Sequence, residues 1–201
     1  MRRIALVTLI ASTSLLLATA PVTHAQDTGD WSFDPDALLA TSSDLLRQVP
    51  AAQMDGLFQA LHATAQDERQ AQPLCDLFDP DADHSLQGLN AVAAKLDPDS
   101  RQRFAAAIAD ALVASLQSPV QPYDAAQARQ SLKAAGVTAA LLHDGFVAGL
   151  NTSGRDPVSR QSRCRSVRWL LDAMQSRPRD ERAAMTRLLL EQGLGRVAPA
   201  V

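Results

Sequence analysis

Asp97-Pro98-Asp99-Ser100-Arg101-Gln102-Arg103-Phe104-Ala105-Ala106-Ala107-Ile108-Ala109-Asp110-Ala111-Leu112-Val113-Ala114-Ser115-Leu116 reads as one uninterrupted helix. Asp97 offers a carboxylate to the first free amides, Pro98 occupies the first helical position, where a missing N–H costs nothing, and Asp99 meets the positive end of the helix dipole. Apolar residues then recur on two sides, Phe104, Ile108, Ala111 and Leu112 on one and Ala105, Ala109, Val113 and Leu116 on another. That pattern belongs to a helix in the middle of a bundle. The segment is therefore expected to be central and buried.

The same punctuation appears at Asp34-Pro35-Asp36, Asp79-Pro80-Asp81 and Asp156-Pro157, so four helix starts are signed by an Asp-Pro device. Between them the 3.6-residue period predicts helices at 35–47, 51–65, 85–96, from Asp124 to Ala135, at 138–150, 157–175 and 178–192, with Gly136 read as a stop. Gln66 to Asp81 is polar and broken around one turn at 74–78. The last helix is expected to bury Ala184, Leu188 and Leu189. No alternating strand pattern occurs, and Asp144-Gly145 lies within a helical pattern. Composition agrees: 36 alanines against 9 glycines, 46% hydrophobic and 4% aromatic residues favour helix over sheet. The fold class is all-α, an irregular orthogonal bundle of seven or eight helices.

Met1-Arg2-Arg3 followed by the apolar run Ile4–Ala20 and by Thr23-His24-Ala25 has the order of a secretory signal, with cleavage after Ala25. A cut after Ala20 would place Pro21 directly past the scissile bond. The expected organisation is a signal peptide at 1–25, a short lead at 26–34 and one helical domain at 35–201, exported to a bacterial periplasm or medium. No cysteine follows the apolar run to take a lipid anchor, and no second long apolar run follows, so no stable membrane insertion is expected afterwards. In an oxidising compartment the two cysteines, Cys75 and Cys164, are expected to pair. Cys164, Val167, Leu171 and Met174 share one stripe of their helix, which turns Cys164 to the core. Closing that loop contributes roughly 4–5 kcal/mol in the chain-entropy account.

Charge is polarised along the chain. Asp27 to Asp110 holds 15 acids and 5 bases, Ala111 to Val201 7 acids and 12 bases. The second half concentrates Arg155, Arg160, Arg163, Arg165 and Arg168, then Arg177, Arg179, Arg182 and Arg187. Guanidinium forks match carboxylates and phosphates. Nucleic acid is disfavoured by the acidic total and by the lack of interleaved aromatics. Two readings remain. Arg160, Arg163 and Arg168, with Trp169, face a protein partner in the cell envelope, or the acidic half packs against the basic half within the chain.

Asp79, Asp81 and Asp83 stand at positions 1, 3 and 5 of a calcium-loop pattern. The pattern then fails, with His84 where glycine is needed and Asn90 where a bidentate Glu is needed. Calcium or another divalent cation is a minor reading beside helix capping, and no cofactor is expected. His62, His84 and His143 can act as bases near neutral pH, yet none adjoins a nucleophile motif. The expectation is an exported module that binds a protein without catalysis, as an inhibitor, an immunity-type antagonist or an envelope accessory. The alternative is an envelope hydrolase or lyase using His84 with Asp81 and Asp83, with or without a metal. The sequence leaves the oligomeric state open.

Overall fold

The computed structural model describes residues 43–197. The expected signal peptide, the lead and the start of the helix expected at 35–47 lie outside this range. Within it, a helical stretch at 43–48 precedes α1 (Ala51–Gln66), α2 (Glu68–Cys75) with a 3-10 turn at Asp76–Phe78, α3 (Leu86–Lys95), α4 (Pro98–Gln117), α5 (Ala125–Leu142), α6 (Phe146–Asn151), α7 (Pro157–Gln175) and α8 (Arg179–Val197). No strand occurs among the described residues. The all-α expectation stands.

The central position belongs to α1. It packs on α2, α4, α7 and α8 and buries Met54, Phe58 and Ala65. Phe58 joins Leu74, Phe146, Leu171, Met174 and Met185 in the main core. A second cluster gathers Leu46, Val49, Met54, Ala111 and Ala183. The expectation that α4 would be central is corrected here. Only Ser100, Ala111 and Ser115 of α4 are buried, while Ile108, Leu112, Val113 and Leu116 are exposed, Leu116 at 76%. The inward face of α4 is narrow, with Ser100, Ala111 and Ser115 buried and Phe104 packed against the main core, and Ile108, Leu112, Val113 and Leu116 are left outside.

Other boundaries moved for identifiable reasons. Gly136 does not stop α5, because a helix-interior glycine costs only about 1 kcal/mol relative to alanine. The break falls at Gly145, whose φ of 84° is a left-handed conformation open mainly to glycine. Gly149 of α6 has a second role: a Cβ there would stand 2.7 Å from the Ser162 carbonyl oxygen and against the Ser166 hydroxyl of α7. The stretch expected to be broken after Gln66 instead forms α2, capped by Asp67, with Pro73 tolerated inside. In α8 the buried residues are Ala183, Met185, Thr186, Arg187 and Leu188, whereas Leu189 is exposed at 37%.

Two Asp-Pro starts behave as read. Asp97 accepts from the Ser100 amide at 2.6 Å. Asp156 accepts from the amides of Val158 and Ser159 at 3.1 and 3.0 Å and from the Ser159 hydroxyl at 2.6 Å. Asp79-Pro80 starts no helix. The next one begins at Leu86, with Ser85 accepting from the Gly88 amide. Cys75 and Cys164 are bonded, with Cα atoms 5.1 Å apart across 89 positions. No described helix is long and apolar enough to cross a membrane.

Hydrogen bonds hold both capping carboxyls below the ordinary carboxylate range, chiefly from the Ser100 amide at Asp97 and the Ser159 hydroxyl at Asp156. A carboxyl lowered in the folded chain stabilises fully above its unfolded value, and that contribution is lost as pH falls through the native value. Asp97→Ala and Asp156→Ala are each expected to lower the melting temperature at pH 7. In thermal melts the gap from wild type should narrow toward pH 2, and a gap independent of pH would contradict carboxylate capping.

Candidate functional site

The acidic and basic halves meet inside the molecule. Arg163 is 5% exposed. Its Nε donates to Asp79 Oδ1 at 3.2 Å, its Nη2 donates to the same oxygen, and its Nη1 donates to the Thr152 carbonyl at 2.8 Å. Arg160 reaches Asp79 Oδ2 at 3.4 Å, and Arg155 reaches Asp81 Oδ2 at 3.2 Å. Arg163, expected on a partner-facing surface, thus points inward and clasps its own chain. The intramolecular reading accounts for it.

This clasp also decides the surroundings of the aspartate triplet. Asp79 and Asp81 face three guanidinium groups, and Asp83 accepts from the Ser85 amide at 2.9 Å. The Ser85 hydroxyl and amide hold the Asp83 carboxyl below its usual range. Among the described residues, no group of three His, Cys, Asp or Glu side chains is placed to hold a metal. His84 Nε2 lies 2.9 Å from the Leu77 carbonyl oxygen, to which it donates when protonated there. The acids and base of the hydrolytic alternative are therefore each engaged by the chain itself.

Further pairs repeat the theme. Arg182 grips Asp55 with two bonds of 2.7 and 3.0 Å and donates to the Arg177 carbonyl at 2.6 Å. The bond to Asp55 raises the Arg182 pKa further. Arg187, 4% exposed, donates to the carbonyls of Leu46 and Val49 and lies 5.6 Å from the centre of the Tyr123 ring. Burial lowers its pKa. The Tyr123 phenol is pushed up to about 12, first by burial and then by Glu191. His62 joins α1 to α7 through Asp172 Oδ1 at 2.9 Å, and Gln66 donates to the same oxygen at 2.6 Å.

What this internal pairing leaves open is the outer side of α7. Arg165 and Arg168 enter none of the ion pairs among the described residues. The Arg165 guanidinium sits 5.4 Å from the centre of the Trp169 ring. The Trp169 indole stacks on the His143 imidazole, with centroids 4.5 Å apart and planes within 1°. His143 ends α5, beside Leu141 and Leu142, which are 82% and 69% exposed, and Val147 follows at 56%. A basic and aromatic stack thus stands next to an apolar corner.

Of the residues singled out in the sequence, Arg168 and Trp169 border this face, both half-buried and Trp169 also packed against the main core, Arg160 stands exposed but tied to Asp79, and Arg163 is buried. In the sequence Arg165 stands only as one of the arginine cluster, His143 only as a possible base, and Leu141 and Leu142 only as part of a helical pattern. The one sequence signal was that Trp169 falls off the Cys164 stripe. The His143–Trp169 stack joins positions 26 apart, beyond any helical period. No protein-family model, curated protein or solved structure matches the chain.

Removing one partner of a buried ion pair costs about 3–5 kcal/mol, whereas an exposed pair contributes at most about 1 kcal/mol. Arg163→Met is expected to fall in the first range and Arg160→Met in the second. Adding Asp79→Asn to Arg163→Met should restore part of the loss, because the stranded carboxylate is then gone. Urea unfolding of the single and double variants measures this. Equal effects at 160 and 163 would remove the clasp from its structural role.

Proposed function

We propose that this chain is an exported module that acts by binding another protein rather than by catalysis, and that the partner docks on the α5–α6 corner and the outer side of α7. The observation that carries the reading is the juxtaposition of exposed Leu141 and Leu142 with the His143–Trp169–Arg165 stack. Apolar anchors bordered by aromatic and arginine side chains have the make-up of interface hot spots. Exposed apolar clusters of this kind mark interaction surfaces.

Charge selects the occupant. Arg165 and Arg168 enter no ion pair among the described residues, so the partner segment is acidic and carries an apolar side chain for the leucines. The apolar face of α4 offers no such choice, since Asp110 is the one charged residue between Phe104 and Tyr123. Its adjoining groove is walled by Leu45, Leu46 and Val49. Export is supported by the Met1–Ala25 pattern and is compatible with the bonded cysteines. Inhibitor, antagonist and assembly accessory all remain within this reading.

The test is affinity capture from the native envelope fraction with the intact, disulfide-bonded protein. Leu141→Asn with Leu142→Asn is expected to abolish capture of a protein that the wild type retains stoichiometrically. Leu116→Asn on α4 should keep it, and raised salt should weaken it. Exposed substitutions of this type change stability by about 0.5 kcal/mol or less, so loss of folding does not confuse the result. Capture that survives the double substitution, or that is lost only with Leu116→Asn, overturns this site.

A further inference from the structure

Between α2 and α7 lies an open cleft of about 400 Å³ over the disulfide, lined by Glu68, Gln72, Gln161, Arg165 and Arg168, with Cys164 among the residues of its lining. Its volume falls in the roughly 300–1,000 Å³ range of ligand clefts. Resting on the reading above, we infer that this cleft is a carboxylate site, which receives an acidic side chain of the partner while the apolar corner holds its neighbour.

Three observations carry the inference. First, two guanidiniums that belong to no ion pair among the described residues line one cleft, whereas Arg155, Arg160, Arg163 and Arg182 are committed to aspartates. Second, Asp172 stands four positions after Arg168, the spacing of a helical ion pair, but its Oδ1 is taken by His62 and Gln66 of α1. Arg168 makes no ion pair with Asp172. Third, Arg165 belongs to both regions, lining the cleft and lying over the Trp169 ring, which makes the cleft continuous with the corner.

The charge of the lining chooses between oxyanions. Two arginines and Glu68 sum to one positive charge, which matches a monoanionic carboxylate better than a dianionic phosphate. Planar guanidiniums add bidentate geometry for the two carboxylate oxygens. The amide of Gln161 supplies a further donor type in the lining. Gln72 is within 3.4 Å of Asp76 and is partly engaged.

The experiment titrates the intact, disulfide-bonded protein with glutamate capped at both ends, which carries one carboxylate, with identically capped glutamine, and with inorganic phosphate at fixed ionic strength. Arginine side-chain NMR signals are the readout. Capped glutamate is expected to shift the Nε–H signals of Arg165 and Arg168 saturably, about tenfold more tightly than capped glutamine or phosphate. Arg168→Gln should weaken it by a similar factor, and Glu68→Gln should tighten it. Equal binding of glutamine, tighter binding of phosphate, or indifference to Arg168→Gln overturns the carboxylate site. Glutamate binding together with failed envelope capture would leave the cleft standing and remove the protein-binding reading. Capture dependent on Leu141 and Leu142 without glutamate binding would do the reverse.

Discussion

The buried guanidinium of Arg163 is the point on which the arrangement of this bundle turns. It closes on Asp79 and on the Thr152 carbonyl, and the next residue, Cys164, is bonded to Cys75. The covalent link and the ion pair therefore fasten the same two segments, the end of α2 and the first half of α7, within about one helical turn. The disulfide limits the unfolded chain, while the clasp has a narrower task. A charge taken out of water is tolerated only with its donors met, and the donors of Arg163 are met only when α7 sits in one register against Asp79 and the loop carbonyl. A hydrophobic residue of similar volume would fill the space but would not select that register.

Much of the local architecture was legible. The caps at Asp97, Asp124 and Asp156 and the core stripe of α7 follow from short-range rules, namely orphan amides, a fixed proline φ and the 3.6 period. Long-range choices were not. Asp79-Pro80 has the same local grammar as Asp97-Pro98, but Asp79 is taken by an arginine 84 positions away, and local spacing carries no trace of that competitor. In α4, alanines make every side apolar, so periodicity selects no inner face. The decision falls to tertiary contacts: Ser100, Ala111 and Ser115 are buried and Phe104 meets the main core, while alanines at 105, 106 and 109 stay exposed. Gly136 and Gly145 show the same limit. Both are helix breakers by composition, but only the second sits where the chain must turn.

The candidate site follows from the geometry of α7 once its inner stripe is set. At 100° per residue, Arg163, Cys164, Val167, Leu171 and Met174 share one side. Gln161, Arg165, Arg168 and Asp172 form a second stripe about 120° further round, flanking Cys164. Charge polarity in the sequence therefore resolves into two populations on a single helix. One is neutralised within the fold, and the other is held outward by the same register. Which arginines belong to which population depends on Asp79, and so on the tertiary contact rather than on the cluster itself.

The carboxylate one helical turn beyond Arg168 is used for packing and not for an ion pair with that arginine. Asp172 is within helical reach of Arg168, but its Oδ1 is contacted by the His62 ring and the Gln66 amide of α1. A partly buried imidazole, 17% exposed in its side chain, gives up few water contacts to make that bond. Arg168, itself half-buried, enters no ion pair among the described residues and lines the cleft. The carboxylate joins α1 to α7 through Oδ1, and the guanidinium stays in the cleft. The seam between the two helices therefore uses Asp172 without neutralising the arginine one turn before it.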